Sequence, residues 1–168
     1  MSTIVLIGFM GAGKTTVSKK LSEVLNKPLI DMDVHLVGNL GCSINDYFET
    51  YGESAFRMQE TALLKSCLQE EGVIATGGGV VLQEENQKLL KDHLVVYLKA
   101  DVDQLIDRIR QDKKQIRPLA ESSKDEELRQ LFFLREKHYE TLADITIDTN
   151  SKTPEEVVAE IVKQVESL

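Results

Sequence analysis

The residues Gly8-Phe9-Met10-Gly11-Ala12-Gly13-Lys14-Thr15 read G-x-x-x-x-G-K-T and stand directly after the apolar run Thr3-Ile4-Val5-Leu6-Ile7. A strand enters a glycine turn and a helix leaves it. In that setting the turn folds its N–H groups inward toward phosphate oxygens, Lys14 extends to the outer phosphates, and the Thr15 hydroxyl is suited to Mg2+. A glycine turn that merely joins a strand to a helix is the plainer reading. The flanks argue against it, because Val17, Leu21, Val24 and Leu25 recur at helical spacing straight after the loop.

Outward from the loop, Asn26-Lys27-Pro28 ends that helix, and Leu29-Ile30-Asp31 reads as a short strand running into Asp31-Met32-Asp33. Strand alternation places Asp31 and Asp33 on one side at the carboxyl end, the edge where open α/β sheets bind ligands. One carboxylate would hold Mg2+ or its water while the other faces the group to be phosphorylated; alternatively, Asp33 caps a helix beginning at Val34. Ser43 opens a short helix that stops at Tyr51-Gly52-Glu53, and a longer helix over 53–70 follows, with Phe56, Leu63, Leu64, Cys67 and Leu68 on its apolar face. Glu60 falls on the same stripe. A carboxylate in phase with the core requires a partner, and Arg57 stands one helical turn before it.

The strand Val73-Ile74-Ala75-Thr76 ends in Gly77-Gly78-Gly79, which bares backbone N–H groups and admits a ligand close to the main chain; a flexible turn needs fewer glycines. A helix over 83–91, a strand over 93–98 and a helix capped by Asp101 come next, the last with Val102, Leu105, Ile106 and Ile109 on its apolar face. Over 111–124 the periodicity is lost. This polar segment carries Arg117-Pro118 and reads either as a solvated connector or as a lid that closes with Arg117 at its reactive tip. The helix Asp125–Leu142 presents Leu128, Leu131, Phe132, Tyr139 and Leu142 on one face with Arg135 in phase, an arginine that either snorkels or binds a buried anion. His138 falls off that stripe as ordinary surface. Ile145-Thr146-Ile147 is the last strand, and Thr153-Pro154-Glu155-Glu156 opens the final helix with a capping box.

The chain has 168 residues, 42% of them apolar, enough for one domain with a real core and no disulfides. The formal charge of -8 argues against a nucleic-acid partner and leaves ATP open, since local charge at the loop decides that. Cys42 and Cys67 lack metal-ligand or redox-motif spacing and read as reduced thiols of a cytoplasmic protein. No run approaches the roughly 18 apolar residues of a membrane span. Alternation of strands and helices implies a three-layer α/β/α fold with a five-stranded parallel sheet, a single domain over 1–168 whose lid spans about 111–124.

In order along the chain, GFMGAGKT at 8–15, D-M-D at 31–33, F-R-M-Q-E at 56–60, T-G-G-G at 76–79, R-P-L at 117–119 and R-E-K-H-Y at 135–139 resemble shikimate kinase over nearly the whole length. The phosphate loop alone is widely shared; the ordered set is far more specific. The resemblance implies phosphorylation of the 3-hydroxyl of shikimate by MgATP, on the route to chorismate and the aromatic amino acids. It implies that Gly11, Ala12, Gly13, Lys14, Thr15 and Thr16 hold the phosphates, that Thr15 and Asp31 place Mg2+, and that Asp33 faces the substrate hydroxyls. Arg57 and Arg135 would clamp the carboxylate, with Glu60 and Gly77 beside them, Gly78 and Gly79 giving backbone donors and Phe48 and Phe56 walling the ring. Arg117 would close over the transferring phosphoryl, and Arg110, Asn150 and Pro154 would lie along the adenine. The expected partner is a small molecule, with no nucleic acid and no membrane, and the chain is expected to act as a monomer. A gluconate or nucleoside monophosphate kinase is the near alternative, and a nucleotide-dependent switch the distant one, although the guanine-reading Asn-Lys-x-Asp is missing from Asn26-Lys27-Pro28-Leu29.

Overall fold

The computed structural model describes residues 3–111 and 124–168. Five parallel strands, β1 (Thr3–Ile7), β2 (Leu29–Asp31), β3 (Gly72–Ala75), β4 (Leu94–Lys99) and β5 (Ile145–Asp148), form one sheet in the order β2-β3-β1-β4-β5. Every residue of β1 is buried, and so is every residue of β3. Strands covered on both faces read as continuous apolar runs, which is why the first strand was legible without alternation. Val5 pairs with Ile74 on one side and Val95 on the other, so the strand that feeds the phosphate loop is the middle of the sheet.

Among the described residues, seven α-helices connect the strands: α1 (Lys14–Leu25), α2 (Met32–Leu40), α3 (Ile44–Cys67), α4 (Glu84–Leu90), α5 (Val102–Gln111), α6 (Asp125–Leu142) and α7 (Pro154–Glu166). Helix α3 carries the break expected at Tyr51-Gly52-Glu53, since Gly52 takes φ 84° and ψ 171°, a conformation costly for any residue with a side chain. The capping box at Thr153 and Glu156 is formed, with the proline at the start of α7. A 3-10 turn, Val80–Leu82, that the sequence did not signal joins the triple glycine to α4.

Three expectations change. Val24 is 62% exposed, so α1 buries Val17 and Leu21 with the small Ser18 and Ser22 between them, where it packs on the sheet and α7. His138 is half-buried, with Nδ1 3.4 Å from Gln87 Nε2. Finally, β2 ends at Asp31 and α2 begins at Met32, so Asp33 is a helical residue and the strand alternation used for the aspartate pair does not apply.

The order β2-β3-β1 has one consequence for function. The segments at the carboxyl ends of these three neighbours carry Asp31 and Asp33, the triple glycine, and the phosphate loop, and they open on the same edge of the sheet.

Candidate active site

Helix α1 starts at Lys14 behind Gly13, whose φ of 90° is left-handed and whose position lacks a side-chain cap. The first N–H groups of that helix therefore point out of the loop as donors with the positive end of the helix dipole behind them. Lys14 Nζ donates to the carbonyl oxygens of Gly8 at 2.6 Å and Phe9 at 2.9 Å, which folds the side chain over the loop it serves. Arg108, from α5, donates to the Gly11 carbonyl at 3.2 Å, and a methyl group on Gly11 would stand 2.9 Å from the Leu105 carbonyl. The phosphate loop is thus seated directly on α5. Arg108 was passed over in the sequence because it flanks the apolar stripe of that helix without lying on it.

Asp31 has two tasks. Its Oδ1 accepts from the N–H groups of Asp33 at 3.1 Å and Val34 at 3.4 Å, which makes Asp31, not Asp33, the cap of α2. Its Oδ2 accepts from the Thr15 hydroxyl at 3.5 Å, so the two oxygens assigned to Mg2+ converge across the phosphate loop. A hydroxyl and a carboxylate oxygen are hard donors suited to a cation that keeps most of its water and takes its remaining ligands from phosphate. The donor set fits.

The three glycines after β3 are where the charged side chains meet. A methyl group on Gly77 would lie 2.9 Å from Glu60 Oε2 and 3.4 Å from Asp33 Oδ1; one on Gly78 would lie 3.3 Å from Arg135 Nη1 and 3.4 Å from the Met10 amide of the phosphate loop. At Gly79 it would fall 2.5 to 2.7 Å from three atoms of the Arg57 guanidinium. Bare N–H groups for a ligand were the expected reason for these glycines. The structure adds another: guanidinium groups occupy the space where side chains would be.

Arg57, Glu60 and Arg135 are 8%, 1% and 2% exposed, so none is a surface charge. Arg57 Nη1 donates to Glu60 Oε1 at 3.0 Å, and its Nη2 and Nε reach Glu53 Oε2 at 3.3 and 3.4 Å. Burial pushes the Glu60 carboxyl above the usual carboxylate range against the pull of Arg57. Arg135 Nε is buried without a hydrogen-bond partner, and the guanidinium sits 5.8 Å from the Phe9 ring centroid. Burial depresses the Arg135 pKa, the Tyr139 oxygen opposes this, and the Arg57 charge adds to it. The Arg57 charge adds to the cost of burying the Arg135 guanidinium, which also keeps an orphaned donor, and both features favour an anion placed between the two arginines. The Phe48 and Phe56 rings lie 4.7 Å apart, tilted by 39°, and Arg57 lies 6.0 and 5.4 Å from their centroids, which gives the polar cluster one aromatic wall.

A family profile for shikimate kinase matches residues 10–166. The chain belongs to the shikimate kinase family. A shikimate kinase of Enterococcus faecalis is 48% identical over 98% of both chains, and one of Streptococcus gordonii is 44% identical over 95% of this chain and 97% of its own. Among solved structures, a shikimate kinase from Acinetobacter baumannii in complex with shikimate superposes with a TM-score of 0.94 at 35% identity, covering 99% of this chain and 94% of that one. The enzyme from Aquifex aeolicus gives 0.84 at 38% identity over 98% and 96%. The family's cofactor requirement, ATP with Mg2+, agrees with the phosphate loop and with the Thr15–Asp31 pair.

Of the remaining expected site residues, Arg117 lies outside the described residues, as does most of the 111–124 lid. Arg110, at the end of α5, bonds Asp125 Oδ1 at 3.0 Å, whereas Asn150 Oδ1 accepts from the Asp101 amide at 3.0 Å at the start of that helix. The two stand at opposite ends of α5, with Pro154 following Asn150 at the first turn of α7.

Proposed function

We propose that this enzyme transfers the γ-phosphoryl group of ATP to the 3-hydroxyl of shikimate, with Arg57 and Arg135 as the carboxylate clamp. One observation carries the reading. Methyl groups on three consecutive glycines would meet, in turn, Glu60 and Asp33, then Arg135 and the Met10 amide of the phosphate loop, then Arg57, so donor and acceptor sites share a wall.

In this reading Lys14, the amides from Gly11 to Thr16 and the dipole of α1 hold the phosphates, and Mg2+ on Thr15 and Asp31 would neutralise charge on the phosphate oxygens. Asp33, exposed at the first turn of α2, faces the attacking hydroxyl and takes its proton as the oxygen–phosphorus bond forms and the bond to ADP breaks. Glu60 keeps Arg57 in place and meets a ring hydroxyl. Arg117 neutralises the transferring phosphoryl, and Arg110, Asn150 and Pro154 bound the adenine. The single domain over 1–168, the monomeric state and the cytoplasmic setting belong to the same reading; the free Cys42 and the buried free Cys67 are consistent with a reducing compartment.

The test is ADP release in a coupled assay with shikimate, gluconate, CMP and GMP in parallel. Release dependent on shikimate alone is expected. Comparable turnover with gluconate or a nucleotide would overturn the acceptor, and hydrolysis indifferent to every acceptor would favour a switch.

A further inference from the structure

Arg135 and Tyr139 are four residues apart on α6 and so share one face of that helix. Tyr139 is fully buried, and its ring stacks on Tyr97 of β4 with centroids 5.1 Å apart and an interplanar angle of 27°. That packing leaves the ring one orientation, from which the hydroxyl donates to the Gly78 carbonyl at 2.5 Å. The same hydroxyl oxygen faces the Arg135 guanidinium and favours its charged form. Gly78 is also the residue at which a methyl group would stand 3.3 Å from Arg135 Nη1.

The loop that follows is held from the other side by α4. Asn86 Nδ2 donates to the Val80 carbonyl at 2.8 Å and Gln87 Nε2 to the Val81 carbonyl at 2.7 Å. The glycine loop is therefore tied by side chains to two helices, and its tie to α6 comes from the residue one turn beyond Arg135.

We infer that Tyr139 is a positioning residue, whose hydroxyl locks the Gly78 peptide and the Arg135 guanidinium into one geometry and thereby sets the affinity for the carboxylate of the acceptor. The inference rests on the proposed role of Arg135. Burial holds the Tyr139 phenol well above its usual pKa, so it remains a donor throughout the range in which such an enzyme is assayed.

The experiment compares Tyr139→Phe with Tyr97→Phe and Arg135→Lys in steady-state kinetics against shikimate and ATP, with thermal unfolding of each. Tyr97 lies in the same stack, and its buried hydroxyl is without a hydrogen-bond partner, so its removal controls for packing alone. Loss of one buried hydrogen bond predicts a KM for shikimate about tenfold higher in Tyr139→Phe, with KM for ATP within about twofold of the parent and Tyr97→Phe unchanged in both. An unchanged shikimate KM in Tyr139→Phe, beside a raised one in Arg135→Lys, would overturn the positioning role and leave the carboxylate clamp standing. An unchanged shikimate KM in Arg135→Lys would overturn both. Parallel rises for both substrates, or equal effects in the two tyrosine variants, would make Tyr139 a packing residue only.

Discussion

Gly79→Ala isolates the idea that the glycine run exists to seat guanidinium groups. Gly79 has φ -96° and ψ 5°, which alanine adopts without penalty from positive φ, so any effect of the substitution comes from the added methyl. That methyl would stand 2.5 Å from Arg57 Nη2 and 2.7 Å from both Cζ and Nη1, and ordinary contact begins near 3.4 Å, so the guanidinium must retreat by about 0.9 Å. It has little slack, because Nη1 is bound to Glu60 at 3.0 Å and Nη2 to Glu53 at 3.3 Å. A displacement of about 1 Å in a group that orients substrate costs on the order of 100-fold, or about 2.7 kcal/mol. The expected outcome in a coupled ADP-release assay is a kcat/KM for shikimate lower by about that factor, with KM for ATP changed by less than about threefold. Gly78→Ala, whose closest contact is 3.3 Å, should be several-fold milder. Parental shikimate kinetics in a folded Gly79→Ala protein would refute the reasoning, since Arg57 would then be either free to move without consequence or irrelevant to the acceptor.

Asp31→Asn should raise the Mg2+ concentration needed for half-maximal rate at least tenfold with little change in Tm, whereas Asp31→Ala should add the loss of the α2 cap, about 1 kcal/mol in denaturant unfolding; equal stability of the two would remove the capping role. Because burial holds the Glu60 pKa above its usual 4.5, the folded protein takes up that proton more readily than the unfolded chain. The stability tied to this group is complete below about 4.5 and lost as pH rises through the folded pKa, so the Tm gap between parent and Glu60→Gln should narrow with rising pH, and a gap that widens would contradict it. Arg117→Ala should lower kcat by about 10³ or more, and near-parental turnover would take that residue out of the mechanism.

The succession of elements was readable because its signals are local, whereas the strand order was not. A buried run before the phosphate loop, a capping box before α7 and left-handed Gly52 inside a helical stretch each depend on a few adjacent residues. The error at Asp31 and Asp33 was local too: a three-residue strand is too short for alternation to mean anything, and Asp31 was already at work as a cap. What the sequence could not disclose is which distant groups touch. Arg57 against Gly79, Arg135 against Gly78 and Tyr139 on the Gly78 carbonyl join segments far apart in the chain, and no spacing rule encodes them.

Glu60 and Arg135 show why the site was nonetheless half visible. Both are out of phase with the polarity of their helices, and burying either ion alone would cost several kcal/mol. Such residues persist in a stable chain only where something repays that cost. Glu60 is compensated in part within the protein, by Arg57 at 3.0 Å, although burial still holds its pKa up. Arg135 lacks even that, since its Nε has no protein partner and its neighbours include a second arginine. The residual imbalance is positive, buried, and placed beside the phosphate loop and a carboxylate, which is the electrostatic complement of a small hydroxylated acid about to receive a phosphoryl group. Pattern violations in the sequence thus coincide with the acceptor site proposed above, and the way in which the fold compensates them fits an anionic ligand in that reading.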